Sequence, residues 1–129
     1  MPLKKSVLTF ALSLLALASV SAANDLKFGV RTASEGFADR AYNVDLSLVS
    51  RKLPGSLITD PKRAAEQAVR MAMEGKVKTI DGADVDISVQ TICCHGDTPG
   101  AQHIVRTVRE ALDRAGCQVK PLRDWLPKA

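Results

Sequence analysis

One short loop carries residues that can do acid–base chemistry. The tripeptide His95-Gly96-Asp97 directly follows a short apolar run, residues 91–94. Imidazole titrates near neutral pH and can accept a proton, donate one or bind a metal, and glycine lets the backbone approach a ligand closely. Asp97 can orient the histidine, bind a metal, or cap a following helix. The residues alone also fit a plainer interpretation, in which Asp97 or Thr98 caps that helix and His95 is a polar loop residue.

A second group of charged residues lies about 55 positions earlier. Glu35 and Asp39 are two carboxylates, with the guanidinium of Arg40 beside them and that of Arg51 further along the same irregular segment. Such a set can polarise a carbonyl, bind a carboxylate substrate or transfer protons. It is equally compatible with surface ion pairs, which contribute about 0–1 kcal/mol each. The residue types alone do not decide between these interpretations.

The elements that must position these groups alternate between strand-like and helix-like pieces. Asp60-Pro61 and Thr98-Pro99 begin two predicted helices, which end at Gly75 and Gly116. Short apolar or β-branched runs predict strands at residues 28–33, 77–80, 85–89 and 91–94, and Asp81-Gly82 favours a hairpin turn.

The predicted fold class is therefore α/β. Residues 91–94, the loop at 95–97 and the following helix form a βα unit. In α/β folds, the loops at the carboxyl ends of the strands carry the chemistry.

Composition excludes several classes of protein. The chain has 129 residues, 46% hydrophobic and 25% charged, which is ordinary for one globular domain. The net charge of +4 is spread along the chain without aromatic interleaving, so nucleic acid is not an expected partner. The three cysteines, Cys93, Cys94 and Cys117, have neither disulfide-framework nor zinc-site spacing. No metal site is predicted.

The N-terminal segment supports two interpretations. Residues 1–23 have the layout of a secretory signal, with Lys4 and Lys5 before a nearly continuous apolar run, residues 7–20, and small residues after it. The run is too short for a comfortable membrane span. The same residues also fit a buried strand leading into a helix.

Three longer motifs carry a resemblance to a known family. Residues 33–43 (A-S-E-G-F-A-D-R-A-Y-N) are similar to its S-E-x-F-A-D-R-x-Y signature. Residues 48–55 (L-V-S-R-K-L-P-G) are similar to its L-V-S-R-x-x-P-G-A loop, with Ser56 where alanine is usual. Residues 91–100 (T-I-C-C-H-G-D-T-P-G) are similar to T-I-C-V-H-G-D-x-P-G, with cysteine at the aliphatic position. The order and separations also agree, over about residues 22–122, so the chain resembles the LamB/YcsF family.

The resemblance implies a fold, an activity and a set of site residues. The implied fold is a β/α-barrel of the glycoside hydrolase/deacetylase type. The implied activity is hydrolysis of 5-oxo-L-proline to L-glutamate, with ATP as co-substrate and two partner subunits, in the cytoplasm. The implied catalytic residues are His95, Asp97, Glu35 and Asp39, and the implied substrate-binding residues are Arg40 and Arg51.

The family's N-terminal motifs, of the D-L-N-x-D-x-G-E, G-F-H-A-G-D, G-A-H-P and K-P-H-G types, do not occur in this sequence. The expectation is a signal-like or strand–helix segment at 1–23 and the C-terminal part of a barrel at 24–129, incomplete and inactive alone. Two alternatives remain open. One is an exported, non-catalytic binding protein that uses the segment at 1–22, and the other is a structural fragment that completes a barrel with another chain.

Overall fold

The computed structural model describes residues 31–124 and residue 126 of the chain, which divides into two compact units. Residues 34–121 form the unit that contains all the predicted site residues. Of the other unit, only residues 31–33, the 3-10 turn Leu122–Asp124 and residue 126 are described. The signal-like segment 1–23 lies outside the described residues. The larger unit contains, in chain order, β1 (Glu35–Phe37), α1 (Pro61–Val69), β2 (Lys76–Lys78), β3 (Asp84–Asp86), β4 (Thr91–Cys93) and α2 (Ala101–Arg114).

Helix α1 begins where the sequence predicts. The Asp60 carboxylate accepts hydrogen bonds from the backbone N–H groups of Lys62 and Arg63, at 2.8 and 3.0 Å, and Pro61 occupies the first turn. A π-helical turn, Arg70–Glu74, follows α1 before Gly75 ends it in a left-handed conformation. The sequence pattern did not predict this π turn.

Helix α2 begins later than predicted. The predicted start at Thr98-Pro99 is wrong by about two residues, because Gly100 has φ 80°, outside the right-handed helical region, and the helix starts at Ala101. The buried stripe and the stop at Gly116 agree with the prediction. The two helices and the irregular loop share one core, whose buried residues are Ala38, Ile58, Ala64, Ala65, Ala68, Ile104, Val108 and Leu112.

Strands β1 and β4 pair in parallel and bring the two predicted site segments together. Glu35 lies opposite Thr91, and Phe37 lies opposite Cys93. Gly36 is required here, because a Cβ atom at this position would come within 2.7 Å of Val89 Cγ1. The carboxyl ends of both strands therefore lie at the same edge, where the loops beginning at residues 38 and 94 meet.

Strand boundaries depart from the sequence prediction. The predicted strand at 28–33 is wrong over residues 31–33, which are not in a strand, and residues 28–30 lie outside the described part of the chain. The ladder begins only where Ser34 O accepts from the N–H of Thr91, so pairing with β4 rather than local hydrophobicity sets this boundary. The predicted hairpin at Asp81-Gly82 is confirmed, with β2 and β3 antiparallel and shorter than expected.

Helices and strands in the described residues confirm the α/β class. Residues 38–59, between β1 and the cap of α1, contain no helix and only isolated bridges, as the sequence predicts. Within residues 31–124, no helix is long and apolar enough to cross a membrane.

Candidate functional site

The carboxyl ends of β1 and β4 hold a buried acid–histidine pair. Asp39 Oδ1 lies 2.8 Å from His95 Nδ1, and Asp39 Oδ2 accepts the backbone N–H of His95 at 2.6 Å. The Asp39 side chain is 2% exposed and that of His95 is 23% exposed. A carboxylate can only accept hydrogen bonds, so Nδ1 carries the proton and Nε2 is the ring nitrogen left to accept one. The arrangement is that of an oriented general base.

The imidazole has a second support. The ring of Phe37, the last residue of β1, stacks on His95 with the ring centroids 5.5 Å apart and the planes 15° from parallel. The backbone N–H of Phe37 donates to the hydroxyl of buried Tyr42, at 2.8 Å. Burial raises the pKa of Tyr42 above its ordinary value, so the hydroxyl stays protonated over the physiological range. Tyr42 belongs to the first sequence motif, but its residue type alone indicated no role.

Gln67 of α1 is the residue that sequence reasoning missed. Its Nε2 amide lies 2.8 Å from Phe37 O, 3.3 Å from Ala38 O and 2.8 Å from Arg40 O. These carbonyls belong to the segment that carries both Phe37 and Asp39. A glutamine on an amphipathic helix usually reaches solvent, and the periodicity of α1 contains no signal that would have distinguished Gln67.

A second, exposed pair joins the same two loops. Arg51 Nη1 lies 3.4 Å from Asp97 Oδ2, and the two side chains are 50% and 69% exposed. Asp97 therefore does not cap α2, which begins without a side-chain cap. The capping interpretation of residues 97 and 98 is wrong, and the first backbone N–H groups of α2 receive no side-chain acceptor.

Arg40 is placed differently from Arg51. Its side chain is buried, with the residue 6% exposed, and Nη2 donates to Val49 O at 2.8 Å. Nε has no hydrogen-bond partner among the described residues. The guanidinium therefore holds the backbone just before Ser50-Arg51, and an approaching ligand would first have to displace the loop around it.

Glu35 is the predicted residue that lies apart. It occupies the amino end of β1, two residues before Phe37, and its side chain is exposed. Within the described residues, Glu35 forms no hydrogen bond or ion pair with the other five predicted site residues. The structure thus brings Asp39, His95, Arg51 and Asp97 together across two loops, with Arg40 beneath one of them.

The vicinal cysteines next to His95 are poor nucleophiles. Burial, followed by the negative charge of Asp39, raises the pKa of the Cys94 thiol to about 11. Burial also raises the pKa of Cys93, with smaller contributions from Glu35 and Asp39. Because the thiolate is the reactive form, both thiols are unreactive at neutral pH.

Metal ligands do not cluster in this region. In the part of the chain that the structure describes, no group of three or more His, Cys, Asp or Glu side chains is arranged to hold a metal ion.

Comparison with known proteins identifies relatives over the same region. Residues 3–127 match the model of the LamB/YcsF family. An A-type subunit of 5-oxoprolinase from Thermus thermophilus is 48% identical over 94 residues, 73% of this chain and 38% of the relative. The protein of the same name from Coprothermobacter proteolyticus is 46% identical over 112 residues, 84% of this chain and 42% of the relative.

A solved structure agrees in fold. The lactam utilization protein from Thermus thermophilus superposes with a TM-score of 0.69 at 43% identity, covering 77% of this chain and 39% of that one. The chain thus spans about two fifths of the length of the relatives that it matches. Because the family model matches nearly all of the chain and three motifs agree in order, the chain belongs to the LamB/YcsF family.

Proposed function

We propose that this chain supplies part of the active site of the A-type subunit of an ATP-dependent 5-oxoprolinase, which hydrolyses 5-oxo-L-proline to L-glutamate. The observation that carries the proposal is the buried Asp39–His95 pair at the carboxyl ends of two parallel strands. Loops at this edge of an α/β fold are the usual place for catalytic groups. The names of the relatives, which refer to 5-oxoprolinase and to lactam utilization, supply the substrate class.

The chemistry of the substrate explains why ATP is needed. A lactam is a stable amide, and its ring opens readily only when its oxygen becomes a better leaving group. Transfer of the γ-phosphoryl group to that oxygen releases ADP. Water then adds to the same carbon, phosphate departs, and the C–N bond breaks as the nitrogen takes up a proton.

Proton transfer is the step for which His95 and Asp39 are suited. Nε2 of a neutral imidazole can take a proton from the attacking water and return it to the departing nitrogen. Asp39 holds Nδ1–H and stabilises the imidazolium that forms, which is the part that a carboxylate plays in other acid–histidine pairs. We assign Glu35, at the far end of β1, a smaller part in charge balance around the pocket.

Anionic groups of the substrates are assigned to the exposed side of the site. Arg51 is half exposed and can form paired hydrogen bonds with a carboxylate or phosphate. The amino end of α2 has no side-chain cap and favours negative charge. Asp97 would then exchange its contact with Arg51 for one with water or substrate, while Arg40 supports the Arg51 loop from beneath.

The proposed setting follows from the family. The parallel β1–β4 pair with a helix after β4 fits two neighbouring strands of a β/α-barrel, and we propose that architecture for the complete fold. The proposed partners are the two other subunits of 5-oxoprolinase, and the proposed compartment is the cytoplasm.

A chimera tests this function. The matching 94-residue segment of the Thermus thermophilus relative would be replaced by that of this chain, and the product would be assayed with ATP, 5-oxoproline and the other subunits of that enzyme. We expect glutamate release that depends on ATP and is lost in the His95→Ala chimera. A folded chimera that binds its partner subunits but retains full activity after His95→Ala would refute the proposed role of the pair.

A further inference from the structure

The orientation of His95 depends on one short segment of backbone. Both side chains that touch the imidazole, the Phe37 ring and the Asp39 carboxylate, come from residues 37–39. This segment is where β1 ends and the irregular loop begins. A displacement of these three residues would therefore move both contacts of the ring at once.

Gln67 holds this segment from the helix side. A side-chain amide has two N–H donors, and the Gln67 nitrogen lies within 3.3 Å of three backbone carbonyls, those of Phe37, Ala38 and Arg40. The carbonyls converge on one nitrogen because the chain turns around it just after the strand. Water or a shorter side chain could not hold the three groups from a fixed point on α1.

Tyr42 holds the same segment from the free edge of β1. The N–H of Ala38 donates to Cys93 O on the β4 side, whereas the N–H of Phe37 donates to the Tyr42 hydroxyl. Neighbouring backbone groups of a strand face opposite sides, so the hydroxyl takes the place of an absent ladder partner at this position. The Tyr42 ring itself is buried against Met71 and Val77, which fixes the hydroxyl.

We infer that Gln67 and Tyr42 are positioning residues that clamp residues 37–39 and so lock His95 in the Nδ1–H tautomer, with Nε2 presented for proton transfer. The catalytic meaning of this clamp rests on the proposed function. The clamp itself is a property of the chain and can be measured without substrate. Loss of either clamp lets Asp39 and Phe37 shift, and the imidazole then samples both tautomers.

Nitrogen NMR of the imidazole groups measures the tautomer directly. The chain has two histidines, and His103 is exposed on α2, so it serves as an internal reference in the same spectrum. At a pH where both rings are neutral, we expect His95 to show the Nδ1–H pattern and His103 the mixture typical of a solvated ring. In Gln67→Leu and Tyr42→Phe, the His95 signals should move towards the His103 pattern.

Matched controls separate positioning from general loss of stability. Gln118→Leu changes an exposed glutamine and should leave the His95 pattern unchanged. Should Gln67→Leu fail to fold, Tyr42→Phe removes only a hydroxyl and answers the same question. Folded variants that keep the Nδ1–H pattern, even with a lowered melting temperature, would overturn the inference.

The active chimera provides an independent arm. Both substitutions should lower its turnover about 10-fold or more with little change in KM, because a displaced base affects the chemical step rather than binding. Unchanged turnover together with a shifted tautomer would overturn the catalytic use of the clamp while leaving its geometry intact. An inactive parent chimera with a locked His95 would instead count against the proposed function alone.

Discussion

Two acid–base pairs join the same two loops of this protein, and they differ in nearly every physical respect. Asp39 and His95 are 2% and 23% exposed, in contact at 2.8 Å and tied further by a backbone hydrogen bond of 2.6 Å. Arg51 and Asp97 are 50% and 69% exposed, at 3.4 Å. Buried charged hydrogen bonds are strong and rigid, whereas exposed pairs are screened and worth little.

The difference assigns separate tasks to the two pairs. A group that transfers protons must be held in place before the substrate arrives, and the buried pair meets that need. A group that grips an incoming anion must first release its resting partner, which costs little for an exposed pair. The buried pair therefore suits the chemical step and the exposed pair suits binding.

The largest expected effect comes from removing the titrating group of the buried pair. In the active chimera, His95→Gln should lower turnover by about 100-fold or more, since glutamine keeps hydrogen bonding but cannot transfer a proton. The measurement is glutamate release per folded molecule. His103→Gln, on the exposed face of α2, is the matched control and should change nothing. Near-normal turnover in His95→Gln would remove His95 from the catalytic residues.

The buried acid should matter for stability as well. Asp39→Ala leaves the backbone N–H and the ring N–H of His95 without their acceptor in a buried position. We expect a loss of about 2 kcal/mol or more in the free energy of unfolding, on the scale of unsatisfied buried donors. Urea unfolding of the chain measures it. Asp86→Ala, which removes an exposed carboxylate of the β2–β3 hairpin, should cost far less, and equal losses would contradict the contrast between the pairs.

The exposed cation should show the opposite behaviour. Arg51→Ala should change the free energy of unfolding by less than about 1 kcal/mol. In the chimera, however, it should raise KM by about 10-fold or more, because a charge-assisted hydrogen bond to substrate is lost. Lys52→Ala removes the neighbouring exposed cation and serves as the control. A KM that responds equally to both changes would indicate a general charge effect rather than a specific contact.

Sequence reasoning recovered the parts of this site that local chemistry determines. Asp60-Pro61 begins α1, and the apolar run at 91–94 contains β4, because caps and short apolar runs act over a few residues. The family motifs also indicated that Asp39 and His95 face one pocket, although 56 positions separate them. Which residue of each loop meets which could not be predicted, since it depends on the register of the β1–β4 pair.

The supports of the site were beyond reach for a different reason. The three carbonyls around Gln67 come together only through the packing of α1 against the end of β1. The burial of Arg40 and the exposure of Arg51 likewise follow from the path of the loop, because both residues are arginines in similar polar surroundings along the sequence. Long-range packing decided these roles.

The smallest expected effect tests whether the buried charge is felt more strongly than the exposed one. Burial and then Asp39 raise the pKa of Cys94 to about 11, compared with about 8.5 for a free thiol. In a background that contains Cys93→Ala and Cys117→Ala, the pH dependence of alkylation reports Cys94 alone. Asp39→Asn removes the nearby negative charge, so the thiolate becomes easier to form and the midpoint should move to lower pH. Because burial is the larger cause and persists, the midpoint should stay above that of a free thiol. Asp97→Asn, which removes the exposed carboxylate of the other pair, should leave the midpoint unchanged, since water and salt screen its charge. Equal shifts in the two variants would mean that the two carboxylates are screened alike, and the physical contrast between the pairs would not hold.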